Sequence, residues 1–383
     1  MKNVINAVLK FLSEADMFLL ALSLVSSLYG IVLIHSVVKN FTASNELNVQ
    51  IGALIIGIAL YVVFSYIDID IIADKSLFLL IGSALFISTL FVWGVGMQEV
   101  GNNAWLRFFG VGIQPAEVVK IPFIIIVAKM IANFKERKTL NSPLSLLQIV
   151  AVFAFLFVLI LVSSDDLGSA LVYAFILVTM LFVGEVKLRW FVIGGAAIAA
   201  VFPLFWNNYL SYSQRARIQA PFAGDLLEPA TYARITWQAN RSVSAIASGG
   251  FTGQGLGNGH FTQRAGAIPA HHTDFIFAVA AEELGFIGAM CVLILLVMII
   301  CRCVYIGVKS NNSLGMLVCI GIASMLITQT IGNIGMVMAV LPVIGITLPF
   351  FSYGGSSVVT CMAAVGIVSG IKMRPKPTRF RHI

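Results

Sequence analysis

The sequence predicts an all-α integral membrane protein: ten transmembrane helices, with a large extracytoplasmic loop between the seventh and the eighth. Three observations lead there. Of the 383 residues, 59% are apolar and only 11% are charged, a balance far from that of soluble globular domains. Uninterrupted apolar runs of about 18 residues or more, the length a helix needs to cross hydrocarbon, recur along the chain. Lysine and arginine are also shared unequally between alternate connections, the pattern that orients membrane helices.

The first span is Met17–Val38, preceded by Lys2, Lys10, Glu14 and Asp16. It is too long for a signal-peptide core and shows no clear small-residue cleavage site, so it reads as an uncleaved helix. Further spans fall at Val49–Ile67, Ser76–Gly96, Pro115–Ala132, Leu144–Ser163, Leu167–Gly184, Trp190–Trp206, Phe275–Ile300, Leu314–Val340 and Val358–Ile371. With the N-terminus inside, Lys2, Lys10, Lys75, Lys135, Arg137, Lys138, Lys187, Arg189, Arg302, Lys309 and the cations of the 372–383 tail lie on the cytoplasmic side. The outer segments hold fewer: Lys39, Arg107, Arg215, Arg217, Arg234, Arg241 and Arg264. Both termini are therefore expected in the cytoplasm, and residues 1–383 form a single polytopic membrane domain.

The net charge of +7 would suggest nucleic acid in a soluble protein. In a chain this apolar it reflects cytoplasmic loops facing anionic lipid, so the expected partner is the bilayer and no nucleic-acid partner is expected. Cys291, Cys301, Cys303, Cys319 and Cys361 are odd in number, and Cys301 and Cys303 lack a second ligand pair. They support neither a disulfide framework nor a zinc site and read as small apolar residues. No internal repeat of the transporter kind is evident. One outer connection dominates, the loop at 207–274, and connections of that length in a compact bundle are expected to carry function.

The chemistry-bearing stretches border the spans. His271–Gly285 leads from two histidines through Asp274, at the mouth of the eighth span, into an apolar run interrupted by Glu282 and Glu283. Carboxylates inside hydrocarbon are costly, so Glu282, about 12 Å deeper than Asp274 at 1.5 Å per residue, is expected to pair with Lys120 or Lys129. Thr273 is the expected N-cap of that helix, which makes capping an alternative role for Asp274. Gln114–Lys120 opens the fourth span. Glu117 and Lys120, three apart, form either a structural ion pair or the wall of a polar cavity. Trp105, just upstream, is read as an interfacial anchor. In Ser163–Ala170, Asp165 or Asp166 either caps the sixth helix or, with its neighbour, binds a divalent cation. Arg215 and Arg217 in the large loop can meet a phosphate or simply face water. Gly249–Gly259 has six glycines but no preceding strand and no lysine-hydroxyl pair, so a nucleotide loop is not supported and a tight turn is. Pro349–Ser357, including Ser356, either caps the tenth helix or holds a headgroup.

Taken together these stretches resemble the SEDS family, the polytopic proteins of cell-wall elongation, division and sporulation (RodA, FtsW and SpoVE types). The resemblance spans nearly the whole chain and rests on QPAEVVK at 114–120, DLGSA at 166–170, GQGLGNG at 253–259, HTDFIFAVAAEELG at 272–285 and LPFFSYGGSS at 348–357. It implies a peptidoglycan glycosyltransferase in the bacterial cytoplasmic membrane that polymerises lipid II at the outer face, for elongation or division, with a class B penicillin-binding transpeptidase as partner. It implies Asp274 as the essential catalytic residue, and it puts Glu117 and Lys120 at the family's acid and base positions. Asn102–Ala104 stand where family members often carry a basic residue before the tryptophan, and Ala270 stands where glutamate is common. The reaction expected is an inverting transfer. Asp274 acts as general base; Arg215, Arg217, Lys120 or a divalent cation (Mg or Mn) neutralises the departing pyrophosphate; Trp105 and Ser356 join the substrate contacts. The polyprenyl tails are expected beside the fourth and eighth spans. Two other functions fit a chain of this shape: a lipid II flippase, and a non-catalytic scaffold for the transpeptidase.

Overall fold

The computed structural model describes residues 11–38, 45–96, 103–108, 111–264 and 272–374. The histidine at 271, the residues at 102 and 270, and the tail from 375 onward lie outside them. The elements are α1 (Met17–Val38), α2 (Glu46–Tyr66), α3 (Ile69–Asp74), α4 (Ser76–Ser88), α5 (Leu90–Trp93), a β1–β2 hairpin (Leu106–Phe108, Val111–Ile113), α6 (Pro115–Glu136), α7 (Pro143–Ser164), α8 (Leu167–Val183), α9 (Leu188–Asn208), α10 (Tyr212–Ala223), α11 (Pro229–Gly249), α12 (Ile276–Val308), α13 (Ser313–Val337) and α14 (Gly355–Met373).

Among the described residues, eight helices are long and apolar enough to cross a bilayer: α1, α2, the α4–α5 pair, α7, α9, α12, α13 and α14. The expected fourth and sixth spans are present as helices but fall outside that set. The fourth, α6, carries Glu117, Lys120, Lys129, Lys135 and Glu136, and α8 has 17 residues. Local chemistry sets the starts. Pro115 and Pro143 occupy first-turn positions, where a missing N–H costs nothing. The Ser142 hydroxyl accepts from Ser145 N at 3.2 Å and Asn312 Oδ1 from Gly315 N at 2.7 Å.

α13 and α14 form the buried centre, and α14 packs closest on α2. A Cβ at Gly366 would come within 2.7 Å of the Tyr61 backbone and one at Gly370 within 2.8 Å of the Ser65 carbonyl. Glycine therefore brings two backbones together where lipid supplies no hydrophobic drive between helices. At the other extreme α9 buries none of its residues. Exposed apolar side chains such as Phe78, Val92, Phe182 and Ile198 cover the outside of the bundle, as a lipid-facing surface requires.

The connection before the fourth span carries the β1–β2 hairpin, in register Leu106↔Ile113 and Phe108↔Val111. Two expectations need correction. The 207–274 loop is largely helical, because α10 begins with a capping box in which Ser211 and Gln214 satisfy each other's backbone amides, and α11 follows Pro229. The eighth span ends at Val308 rather than Ile300. The extra turns carry Arg302 to Asp16, which it meets at 2.7 Å.

That ion pair anchors the end of the bundle opposite Asp274. Fully buried Asp16 also meets Lys372 of α14 at 3.0 Å, and its carbonyl accepts the Tyr61 hydroxyl at 2.8 Å. Nearby, Lys129 pairs with Asp74, Lys135 with Glu185, and Arg374 with Asp68 and Asp70. Burial alone would raise the Asp16 carboxyl, but Arg302, the Leu19 amide and Lys372 together hold it below its ordinary value. Its stabilising contribution is therefore present at neutral pH and lost on acidification through that lowered value. Asp16→Ala is expected to lower stability by about 2 kcal/mol, less than for a fully buried pair because both cations are partly exposed. Thermal unfolding in detergent measures it.

Candidate active site

Four helices, α6, α8, α12 and α14, begin at the same end of the bundle, and each helix start leaves backbone amides without intrahelical partners. Here side chains at these starts bond across from one helix to the next. Gln114, at the N-cap of α6, donates its Nε2 to Asp166 Oδ2 at 2.7 Å and to Ser169 Oγ at 3.3 Å. Its backbone amide donates to Ser356 Oγ in the first turn of α14, at 3.3 Å. Asp166 caps α8, accepting from Ser169 N at 2.9 Å and Ser169 Oγ at 2.7 Å. Asp165 faces the other way: it is the left-handed C-cap of α7 and is exposed, accepting from Gln214 Nε2 at 3.1 Å. The two adjacent aspartates thus share no ligand set. Among the described residues, no three histidine, cysteine or acidic side chains stand together as a metal site.

Asp274 lies in the turn before α12, partly accessible at the surface. Thr273 is not the expected cap, because α12 starts later, at Ile276, with Phe275 in the capping position. The turn is held by its backbone. The Asp274 carbonyl accepts from Asn333 Nδ2 at 2.7 Å, the Thr273 carbonyl from Ser352 Oγ at 2.6 Å, and the His272 carbonyl from Tyr353 N at 2.8 Å. Asp274 Oδ2 stands 3.6 Å from where a Cβ on Gly345 would lie. Among the described residues its carboxylate receives no side-chain or amide hydrogen bond, unlike that of Asp166. Enclosure by protein, and then the nearby Asp166 charge, raise the Asp274 carboxyl above the ordinary carboxylate range. An acid without donors, held beside another acid, is poised to accept a proton near neutral pH.

Glu117 and Lys120 form an ion pair one turn into α6. Lys120 is fully buried and Glu117 nearly so. Gln329 of α13 donates to both Glu117 oxygens, at 3.3 and 3.5 Å. The pair is thus sealed into the bundle next to the junction rather than opened to solvent. Trp105 is half-buried at the base of the hairpin, bridged to Val95, with its ring over Gly112. Arg215 donates to the Leu210 carbonyl at 3.0 Å, and Arg217 is exposed two residues further on α10. Both sit on the helix whose first turn reaches Asp165; among the described residues no bond joins them to Asp274. Sequence reasoning missed Gln329 and Asn333. Their signal was two amides four residues apart, hence on one face, in an otherwise apolar span.

Glu282 has a different partner from the one expected: Lys120 is taken by Glu117 and Lys129 by Asp74. Gly285, at φ +69°, kinks α12, and the glycine-rich turn after α11 takes up the backbone groups the kink frees. Gln254 N and Gly255 N donate to the Glu282 and Glu283 carbonyls at 3.0 and 2.9 Å, and Phe286 N donates to Gly250 O at 2.9 Å. The carboxylates complete the junction: Glu282 accepts from Phe261 N and Thr262 N at 2.7 and 2.9 Å, and Glu283 from Gly257 N at 3.0 Å. A Cβ at Gly253 would overlap the Glu283 carbonyl, which explains glycine at that position. An apolar groove of about 760 Å³ lies beside this kink, lined by Val25 and Tyr29 of α1 and by Ile287, Cys291, Ile294 and Met298 of α12. It is on the α1 side of the eighth span rather than the expected α6 side.

Residues 15–376 match the family model of the FtsW/RodA/SpoVE cell cycle proteins. The chain is 34% identical to the probable peptidoglycan glycosyltransferase FtsW of Bacillus subtilis (strain 168), over 85% of this chain and 80% of that one. It is 31% identical to the peptidoglycan glycosyltransferase MrdB of Escherichia coli (strain K12), over 90% and 91%. A chain from a solved peptidoglycan synthase complex that coordinates polymerization and crosslinking superposes with a TM-score of 0.75 at 27% identity, covering 94% of this chain and 97% of that one. The rod shape determining protein RodA of Thermus thermophilus shares the fold, with a TM-score of 0.66 at 24% identity over 94% and 96%. The chain belongs to the FtsW, RodA and SpoVE family of cell cycle proteins.

Proposed function

We propose that this protein is a peptidoglycan glycosyltransferase that polymerises lipid II at the outer face of the bacterial cytoplasmic membrane. It crosses the membrane ten times, α6 and α8 being counted with the eight apolar helices, and keeps both termini inside. α6 tolerates its charges because Glu117, Lys120, Lys129 and Lys135 are each paired. The relatives' activity supports the reaction class. The observation that carries the reading is Asp274: a partly accessible aspartate whose affinity for a proton is raised, at a junction where the neighbouring Asp166 is already hydrogen-bonded.

In the reaction, Asp274 takes the proton of the acceptor's 4-hydroxyl as that oxygen attacks the anomeric carbon of the lipid-linked donor. The bond to the pyrophosphate breaks on the opposite side, so the new linkage inverts configuration and undecaprenyl pyrophosphate leaves. Arg215 and Arg217 are assigned to the pyrophosphate, with the positive ends of α6, α8 and α14 adding a field of the same sign. Lys120 is reassigned to structure, because it is sealed against Glu117. Ser356 serves by holding Gln114, and Trp105 offers an aromatic face at the hairpin. Asp166, the cation candidate, accepts three hydrogen bonds within the junction, and no step is routed through a cation. The apolar groove at the α12 kink is assigned to a polyprenyl tail. A class B penicillin-binding transpeptidase is the proposed partner, following the synthase-complex likeness.

Asp274→Ala is expected to cut polymerisation of purified lipid II by about 10²- to 10⁴-fold, the span of a lost general base. Because the raised carboxyl is more easily ionised in the unfolded chain, its ionised form costs stability at neutral pH. Asp274→Asn is therefore expected to melt no lower than wild type there. A lower melting temperature would restore the capping role. The wild-type rate is expected to fall, on acidification, at a higher pH than an ordinary carboxylate would dictate, and a pH–rate profile reads this directly. Glu117→Gln strands buried Lys120 and should cost about 3 to 5 kcal/mol in folded stability, with Glu117→Gln/Lys120→Met recovering most of it. Undiminished stability in the single variant would return the pair to the substrate-binding role.

A further inference from the structure

Asn333 is fully buried in α13. Its Nδ2 donates two hydrogen bonds of 2.7 Å, one to the Asp274 carbonyl and one to the Ile346 carbonyl. Chemistry dictates this orientation, since an amide oxygen turned toward two carbonyls would be repelled. Both amide protons of the side chain are thus spent on joining those two carbonyls.

The two carbonyls belong to segments that frame the candidate base. Ile346 ends the turn of Ile344 to Ile346, in which Gly345 adopts φ +66° and brings its backbone beside Asp274 Oδ2. The same turn lies against the start of α8, where a Cβ on Gly168 would overlap the Ile344 carbonyl and stand 3.4 Å from the Ile346 side chain. Asp166 is two residues before that glycine and caps the helix. Asp274, the 344–346 turn and the Asp166 cap are thus stacked in order, and one side chain ties the first two together.

We infer that Asn333 is a positioning residue: by clamping the Asp274 and Ile346 carbonyls it fixes where the Asp274 carboxylate stands relative to Asp166 and to an incoming acceptor hydroxyl. The inference rests on Asp274 being the base. Asp166, from the α8 cap, is the charged group whose field acts on the Asp274 carboxylate. The Glu117–Lys120 pair on α6 acts on Asp166 in turn. α13 carries no ionisable side chain other than the buried Cys319. The 344–354 segment adds Tyr353, against the ring of His272. Loosening the clamp therefore has a signature besides a lower rate: as Asp274 leaves its enclosure and the Asp166 charge, the acid limb of the pH–rate profile shifts to lower pH.

The test compares wild type, Asp274→Ala, Asn333→Leu (same branching, no donor) and Asn333→Ser (at most one donor), purified in detergent with lipid II as substrate. Asn333→Leu is expected to lower kcat about 10²-fold, as misplacement of a catalytic group by about 1 Å does, with KM changed far less and the acid limb at lower pH. Asn333→Ser should fall between the two. A wild-type limb, with activity lost only in proportion to folded protein, overturns the inference. So does failure of both variants to fold, which assigns Asn333 to structure. If Asp274→Ala still polymerises, the base assignment itself falls. If Asp274→Ala is silent while the Asn333 variants keep the wild-type profile, only the present inference does.

Discussion

The structure depends on one hydrogen bond more than on any other, from Gln114 Nε2 to Asp166 Oδ2 at 2.7 Å. A helix start inside an apolar bundle is a liability, because its first amides have no intrahelical acceptor and little water to turn to. Four such starts at one level would each need separate capping. Asp166 caps α8, Gln114 crosses to it from the start of α6, and Ser356 extends the link to α14. The fourth start, that of α12, is tied in through backbone carbonyls and leaves the Asp274 carboxylate without donors among the described residues. A hydrogen-bonded junction that gives this acid no donor is an arrangement in which the acid's proton affinity is set by its surroundings before substrate arrives.

The two ends of the bundle use charge differently. At the end of Asp16, carboxylates meet cations: Arg302 and Lys372 on Asp16, Arg374 on Asp68 and Asp70, Lys129 on Asp74. Those contacts join α1, α12 and α14 where the helices leave the apolar zone. At the end of Asp274 the polar contacts are mainly amide and hydroxyl hydrogen bonds. Glu282 and Glu283 look like reactive acids in mid-span, yet they rebuild a helix broken at Gly285 by binding the glycine turn. The fold thus consumes most of its buried acids structurally.

Much of this is legible in the sequence, and the gaps have physical reasons. Apolar runs reveal the helices because lipid and protein interior ask for the same side chains. For that same reason they do not tell which helix is central, like α14, and which stands free, like α9. Helix ends shift where a polar side chain finds a distant partner, as Arg302 does. The three-residue strands of the hairpin are too short for alternation to show. Asp274 stands out by its place at a span mouth, and Asp166 as a cap follows from local chemistry. Glu282 was misassigned because the sequence shows two glutamates in hydrocarbon but not the kink that brings a turn of backbone amides to them. Asn333 acts on a carbonyl 59 residues away in sequence, a contact no local pattern encodes.

The account stands or falls on what happens at the anomeric carbon. The measurement that reaches it most directly is lipid II polymerisation by the purified protein in detergent, with the proposed transpeptidase partner added. Strand length is read on a gel and the configuration of each new linkage by NMR. The account predicts long glycan strands whose linkages are all opposite in configuration to the donor. Retained configuration would make Asp274 a nucleophile instead of a base. The absence of strands, with substrate already accessible in the micelle, would contradict the enzyme outright and leave transport or scaffolding as the work of this bundle.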